Sequence, residues 1–127
     1  MNLHVSPADV AHDLPPLHRD DDPALDLRMV ISERRAYGVR PSAADIAHMR
    51  EHGYAAHFLR IARTPRRIGG QNFKKLRDKG RLDLTSEYVV FHHFRQLLDA
   101  ETRRRVAGLL ADSVSHPHAR WESRSQL

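Results

Sequence analysis

The sequence predicts a small, mostly α single domain of roughly four to six short helices with an acidic N-terminal arm. Three observations carry that expectation. Apolar residues recur at steps of three and four, glycine and proline cut the chain into segments of helix length, and 30 of the 127 residues are Leu, Ile, Val or Phe, enough for one small core. The domain is placed at residues 23–114, the loosely structured acidic arm at 1–22 and a flexible tail at 115–127.

The arm mixes Pro7, Pro15 and Pro16 with scattered His and Asp, and only residues 6–11 have the cap-then-proline order of a short helix. Asp22-Pro23 then reads as a helix start, with Asp as N-cap and Pro at the first helical position. Leu27, Val30, Ile31 and Arg34 follow at helical spacing as far as Gly38. By composition residues 25–31 also suit a strand. Ser42, with Asp45 three residues on, opens a helix carrying Ile46 and Met49 up to Gly53, and the pattern resumes over residues 54–63 until Thr64-Pro65 stops it. Gly69-Gly70 precedes a short helix holding Phe73 and Leu76 and ending at Gly80.

Thr85 or Ser86 caps the most strongly amphipathic segment, in which Val90, Phe91, Phe94, Leu97 and Leu98 share one face. Residues 87–94 are rich enough in β-branched and aromatic types to pass for a strand, but the continuation through Leu97 and Leu98 favours helix. Asp99 is expected to cap the next helix, where Val106, Leu109, Leu110 and Val114 line up beside three consecutive arginines.

Charge is distributed unevenly. The net +5 divides into −5 over residues 1–26, from six acids and one base, and +10 over the remainder. Residues 60–81 hold nine bases and one acid: Arg60, Arg63, Arg66, Arg67, Lys74, Lys75, Arg77, Lys79 and Arg81 against Asp78. Arg103, Arg104 and Arg105 form a second cluster. Like charges this close repel, so they are kept where a polyanion or acidic partner neutralises them or where solvent screens them. Arginine makes up 18 of the 21 bases, but with the abundant alanine this reads as coding bias and carries no functional weight.

Several chemistries are excluded or weakly supported. Without cysteine there are no disulfides, thiol nucleophiles or cysteine-ligated metals. The longest apolar run, Tyr88-Val89-Val90-Phe91, is far too short to span a bilayer, and the N-terminus lacks a basic-then-apolar leader, so a cytoplasmic location with no membrane partner is expected. His48-Met49-Arg50-Glu51-His52 matches H-x-x-E-H, the reversed zinc-protease signature, with His48 and His52 on one helical face and Glu51 as a base. Five residues carry that match and no third ligand stands out beyond His57, so His48 and His52 remain weak metal candidates and no cofactor is expected. Adjacent His92 and His93 point apart on a helix, and His116 and His118 fall in the tail. The serines sit at caps or in the tail, with no nucleophile elbow.

The stretch from Arg66 to Lys75 places two glycines and four bases around a helix start, an arrangement suited to phosphate contacts but lacking the order of a nucleotide-hydrolysing loop. Tyr54, Phe58 and Phe73 interleave with the bases and are either stacking platforms or core. Residues 42–63 resemble a helix-turn-helix, with Gly53 in the turn and His57, Arg60 and Arg63 on the recognition helix. The resulting expectation is a non-catalytic nucleic-acid-binding accessory or regulatory protein contacting phosphates through Arg60, Arg63, Arg66, Arg67, Lys74, Lys75, Arg77, Arg103, Arg104 and Arg105. The alternative is a small protein-protein interaction module or inhibitor, of the type carried by phages and mobile elements, whose basic face meets an acidic surface of a host complex. Enzymatic activity ranks third and rests on His48, Glu51 and His52.

Overall fold

The computed structural model describes residues 14–114. No strand occurs among them, and the mostly α class holds. The six helices among these residues are α1 (Arg28–Arg34), α2 (Ala43–His52), α3 (Tyr54–Arg63), α4 (Gln71–Asp78), α5 (Ser86–His93) and α6 (Ala100–Val114), with 3-10 turns at Arg35–Tyr37, Leu82–Leu84 and Arg95–Leu97. None is long and apolar enough to cross a membrane. The chain divides into two compact units, Met1–His57 and Phe58–Leu127. The tail at 115–127 and residues 1–13 of the arm lie outside the described residues.

In the first unit, residues 14–22 of the segment read as an arm take part in the packing. Leu14 is buried, and the Pro15 carbonyl accepts the Tyr54 hydroxyl. Asp21 closes a turn with His18, its N–H donating to the His18 carbonyl while its carboxylate accepts the His18 N–H. The same carboxylate reaches the start of α3, accepting the N–H groups of Tyr54 at 3.0 Å and Ala55 at 3.1 Å. It thus caps a helix 33 residues away in sequence. Gly53 makes the approach feasible: at φ 98° and ψ 166° it occupies a region essentially restricted to glycine, and a Cβ there would stand 3.0 Å from the Asp21 carboxylate.

The helix expected to start at Asp22-Pro23 starts at Arg28 instead. Asp22 accepts the Ala24 N–H in a local turn, and Asp26 takes the initiating role. Its carboxylate receives the Arg28 N–H at 3.1 Å and pairs with the same residue's guanidinium at 2.8 and 2.6 Å, a bond that holds the Asp26 carboxyl below its ordinary range. Leu27 and Ile31 supply the buried face and the strand alternative for residues 25–31 falls. Ser42 caps α2 through the Asp45 N–H, as the spacing predicts.

In the second unit the Thr85 hydroxyl accepts the Tyr88 N–H at the head of α5, and Asp99 accepts the Thr102 N–H at 2.7 Å at the head of α6. Helices α5 and α6 pack together. The long apolar stripe anticipated from Val90 to Leu98 is interrupted, because the backbone leaves the helical region at Phe94 (φ −132°, ψ 13°) and continues as a 3-10 turn. Val89, Val90 and Leu98 are buried, Phe91 and Phe94 only half-buried, and Leu97 is 52% exposed. On α6 the buried face is Thr102, Val106, Leu110 and Ser113, so Leu109 and Val114 lie off its centre.

Candidate functional site

The expected binding residues all belong to the second unit, where fifteen bases face seven acids from residue 58 onward, a net +8. Burial of Phe58, Leu59 and Ala62 turns Arg60 and Arg63 of α3 outward. Burial of Thr102, Val106 and Leu110 does the same for Arg103, Arg104 and Arg105 on the first turns of α6. These two groups converge. Arg63 donates to the Leu97 carbonyl at 2.7 Å and Arg103 to the Leu98 carbonyl at 3.0 Å, so their guanidiniums cover consecutive peptide groups. Between them the Asp99 carboxyl is held below its ordinary range, chiefly by the Thr102 N–H and hydroxyl, with Arg105 and Arg63 acting in the same direction.

The loop over residues 64–70 is a run of tight turns. The Thr64 hydroxyl donates to the Arg60 carbonyl at 2.6 Å, and the Thr64 carbonyl accepts the N–H groups of Arg67 and Ile68. Glu87, 3% exposed on α5, accepts the Gly69 N–H at 2.7 Å. Gly69 has φ 67°, and a Cβ on it would meet the Leu109 side chain of α6 at 3.2 Å. The backbone carrying Arg66 and Arg67 is thereby tied to α5 and lies close against α6. Arg66 is exposed and Arg67 half-buried.

On α4, burial of Phe73 and Leu76 leaves Lys74 and Lys75 exposed. Arg77 is only 18% exposed and bonds the Asp78 carboxylate at 2.9 Å, while Arg81 forms two bonds of 3.1 Å to Asp83. Arg105 keeps a looser pair with Glu101 at 3.2 Å. The strongest juxtaposition is therefore Arg63 with Arg103 and Arg105. Lys74 and Lys75 stand on a separate helix.

The chain matches no known family, no curated protein and no solved structure. Its site is consequently read from geometry alone.

Three motif readings change with that geometry. Tyr54, Phe58 and Phe73 are at most 4% exposed, so they are core and offer no stacking face. The helix-turn-helix resemblance keeps Arg60 and Arg63 exposed but loses His57, which is 4% exposed, and the N-terminal end of α3, the part such a helix directs at bases, is occupied by the Asp21 carboxylate. Within H-x-x-E-H the rings of His48 and His52 lie 4.7 Å apart and His48 lies 5.8 Å from His57, yet among the described residues no three His, Asp or Glu form a group able to hold a metal. Added zinc is expected to leave on dialysis, with far less than one equivalent retained and no difference between the wild type and His52→Ala by atomic absorption. Stoichiometric zinc lost only in the variant would restore the hydrolase reading.

Sequence reasoning missed a second surface feature. Tyr88, Phe91 and His92, with Arg95 over the Phe91 ring, form one half-buried ring group on α5, and His93 with Phe94 forms a second pair at its end, outside the fully buried core. The step from Phe91 to Phe94 is the ordinary sign of a buried face, whereas α5 buries Val89 and Val90 instead and its helix ends at Phe94.

Proposed function

We propose that the protein is a non-catalytic nucleic-acid-binding accessory or regulatory protein whose second unit contacts phosphates through exposed arginine and lysine. The supporting observation is the convergence of Arg63, Arg103 and Arg105 around Asp99, next to the anchored loop that carries Arg66. Cations held by a fixed backbone neutralise phosphates without first losing loop entropy, which is what separates a binding surface from a merely solvated one. Arg60, Arg67, Lys74, Lys75, Arg77 and Arg104 complete the proposed contact set. Arg77 contributes least, since its guanidinium already bonds Asp78.

Fluorescence anisotropy with a labelled oligonucleotide tests this. For about six phosphate contacts, affinity should fall on the order of a thousandfold between about 50 and 200 mM salt. Arg66→Ala combined with Arg104→Ala should flatten the log–log slope by about one unit per lost contact, with little change in fold because both side chains are exposed. Absence of binding at low salt overturns the proposal.

A second reading, an interaction module or inhibitor meeting an acidic protein surface, is favoured by Leu97, whose 52% exposure sets an apolar side chain among arginines. A pull-down from host lysate separates the two. Retention of one defined acidic protein after nuclease treatment selects the second reading.

A further inference from the structure

We propose that the α5 surface and the 3-10 turn after it form a stacking platform for unpaired bases, making the partner a single-stranded nucleic acid. This rests on the nucleic-acid reading and specifies its substrate.

The platform consists of planar groups close to the surface. The Tyr88 and His92 rings stack at 4.1 Å with planes 33° apart, Phe91 meets His92 edge-on at 5.8 Å, and Phe94 lies 6.3 Å from His93. The Arg95 guanidinium sits 5.2 Å from the Phe91 ring centre. Tyr88, Phe91, His92 and Phe94 are half-buried, and His93, Arg95 and Leu97 are exposed. Burial, then His93 and Arg95, push the His92 imidazole below its ordinary pKa, which favours the neutral ring.

Flat aromatic and guanidinium faces are the groups on which unstacked bases rest, and every base offers a π-face, so such recognition tolerates sequence. In a duplex those faces are already stacked on neighbouring pairs. The second requirement is a cationic track for the backbone beside the platform. Arg63, bonded to the Leu97 carbonyl, and Arg103, bonded to the Leu98 carbonyl, supply it at the end of the 3-10 turn, with Arg95 on the turn itself. Leu97 adds an exposed apolar side chain on the same 3-10 turn, at the residue whose carbonyl holds Arg63. The cationic flank complements a polyanion, and the row of planes selects bases over aliphatic side chains as the apolar element of the partner.

The test compares a labelled oligothymidine of about twelve nucleotides, an abasic strand of equal length and a duplex of equal length, at one low salt concentration. The variant Phe91→Leu with Phe94→Leu keeps the apolar bulk and removes two π-faces; circular dichroism and thermal unfolding monitor its fold. The wild type should bind the thymidine strand about tenfold or more tightly than either the abasic strand or the duplex. The variant should lose that preference while its duplex affinity stays unchanged. Equal wild-type affinity for all three ligands overturns the platform and leaves the phosphate reading standing. No binding to any of them overturns both. A preference undiminished in the folded variant also overturns the platform. If the variant is misfolded, the wild-type comparison of thymidine and abasic strands decides alone.

Discussion

Replacement of Gly53 by alanine is expected to lower the free energy of unfolding by about 2–3 kcal/mol. The backbone there, φ 98° and ψ 166°, is one that an L side chain adopts only under strain. The added methyl would also stand 3.0 Å from Asp21 Oδ1 and 3.2 Å from His18 Cβ, so the capping turn must move or the helix start must give. Either response weakens the bonds from Tyr54 and Ala55 to Asp21, and loss of a cap alone costs about 1 kcal/mol. Urea unfolding measures the change. Asp21→Ala alone should cost about 1 kcal/mol, and the double variant should cost less than the two effects added, because both disturb one cap. Gly108→Ala, in mid α6 with open space around it, should instead stabilise by about 0.5–1 kcal/mol.

Alkaline solution should weaken the same region. The Tyr54 phenol is fully buried and donates to the Pro15 carbonyl, and burial raises its pKa from 10.0 to about 12, partly offset by Arg28 and reinforced by Asp26 and Asp21. The folded state holds the phenol neutral, whereas the unfolded chain ionises from its ordinary value upward. The stabilisation is therefore complete below pH 10.0 and lost as pH rises towards 12. Its full span is about 3 kcal/mol. Unfolding free energies measured at several points across that window should decline in the wild type. In Tyr54→Phe, which starts less stable for want of the hydroxyl bond, this part of the decline should vanish. A wild-type profile matching that of the variant contradicts the assignment.

Local chemistry was legible in the sequence where it acts within three residues. Ser42, Thr85 and Asp99 each cap the N–H three positions on, and their side-chain types and the following helical patterns announce this. Asp21 falls within the acidic arm of the sequence, and nothing in the local spacing reveals that it caps a helix start 33 residues downstream. The start of α1 was misplaced because Asp22 and Asp26 offer similar capping chemistry, and the bidentate pair with Arg28 decides between them. The stripe from Phe91 to Leu97 was read as core because helical periodicity assumes an unbroken helix, which the turn at Phe94 denies. Individual cations of the candidate site were visible as composition. That Arg63 reaches the Leu97 carbonyl, next to the Leu98 carbonyl covered by Arg103, depends on packing between segments far apart in the chain, which charge counting does not contain.

The acids of the second unit limit how its electrostatic field can change by substitution. Asp99 initiates α6, and Glu87, almost inaccessible to solvent, tethers Gly69 under the cationic loop. Neutralising either would raise the positive potential, yet doing so would release a helix start or weaken the part-buried bond that holds the Gly69 amide N–H. A more basic variant arises more readily at exposed positions, by adding bases at Gln71, Asn72 or Gln96 or by neutralising Glu101, which is exposed and only loosely paired with Arg105. Asp99 and Glu87 belong to the scaffold of this surface, so the attraction it exerts on polyanions is open to increase at its exposed positions and resistant to it at these two.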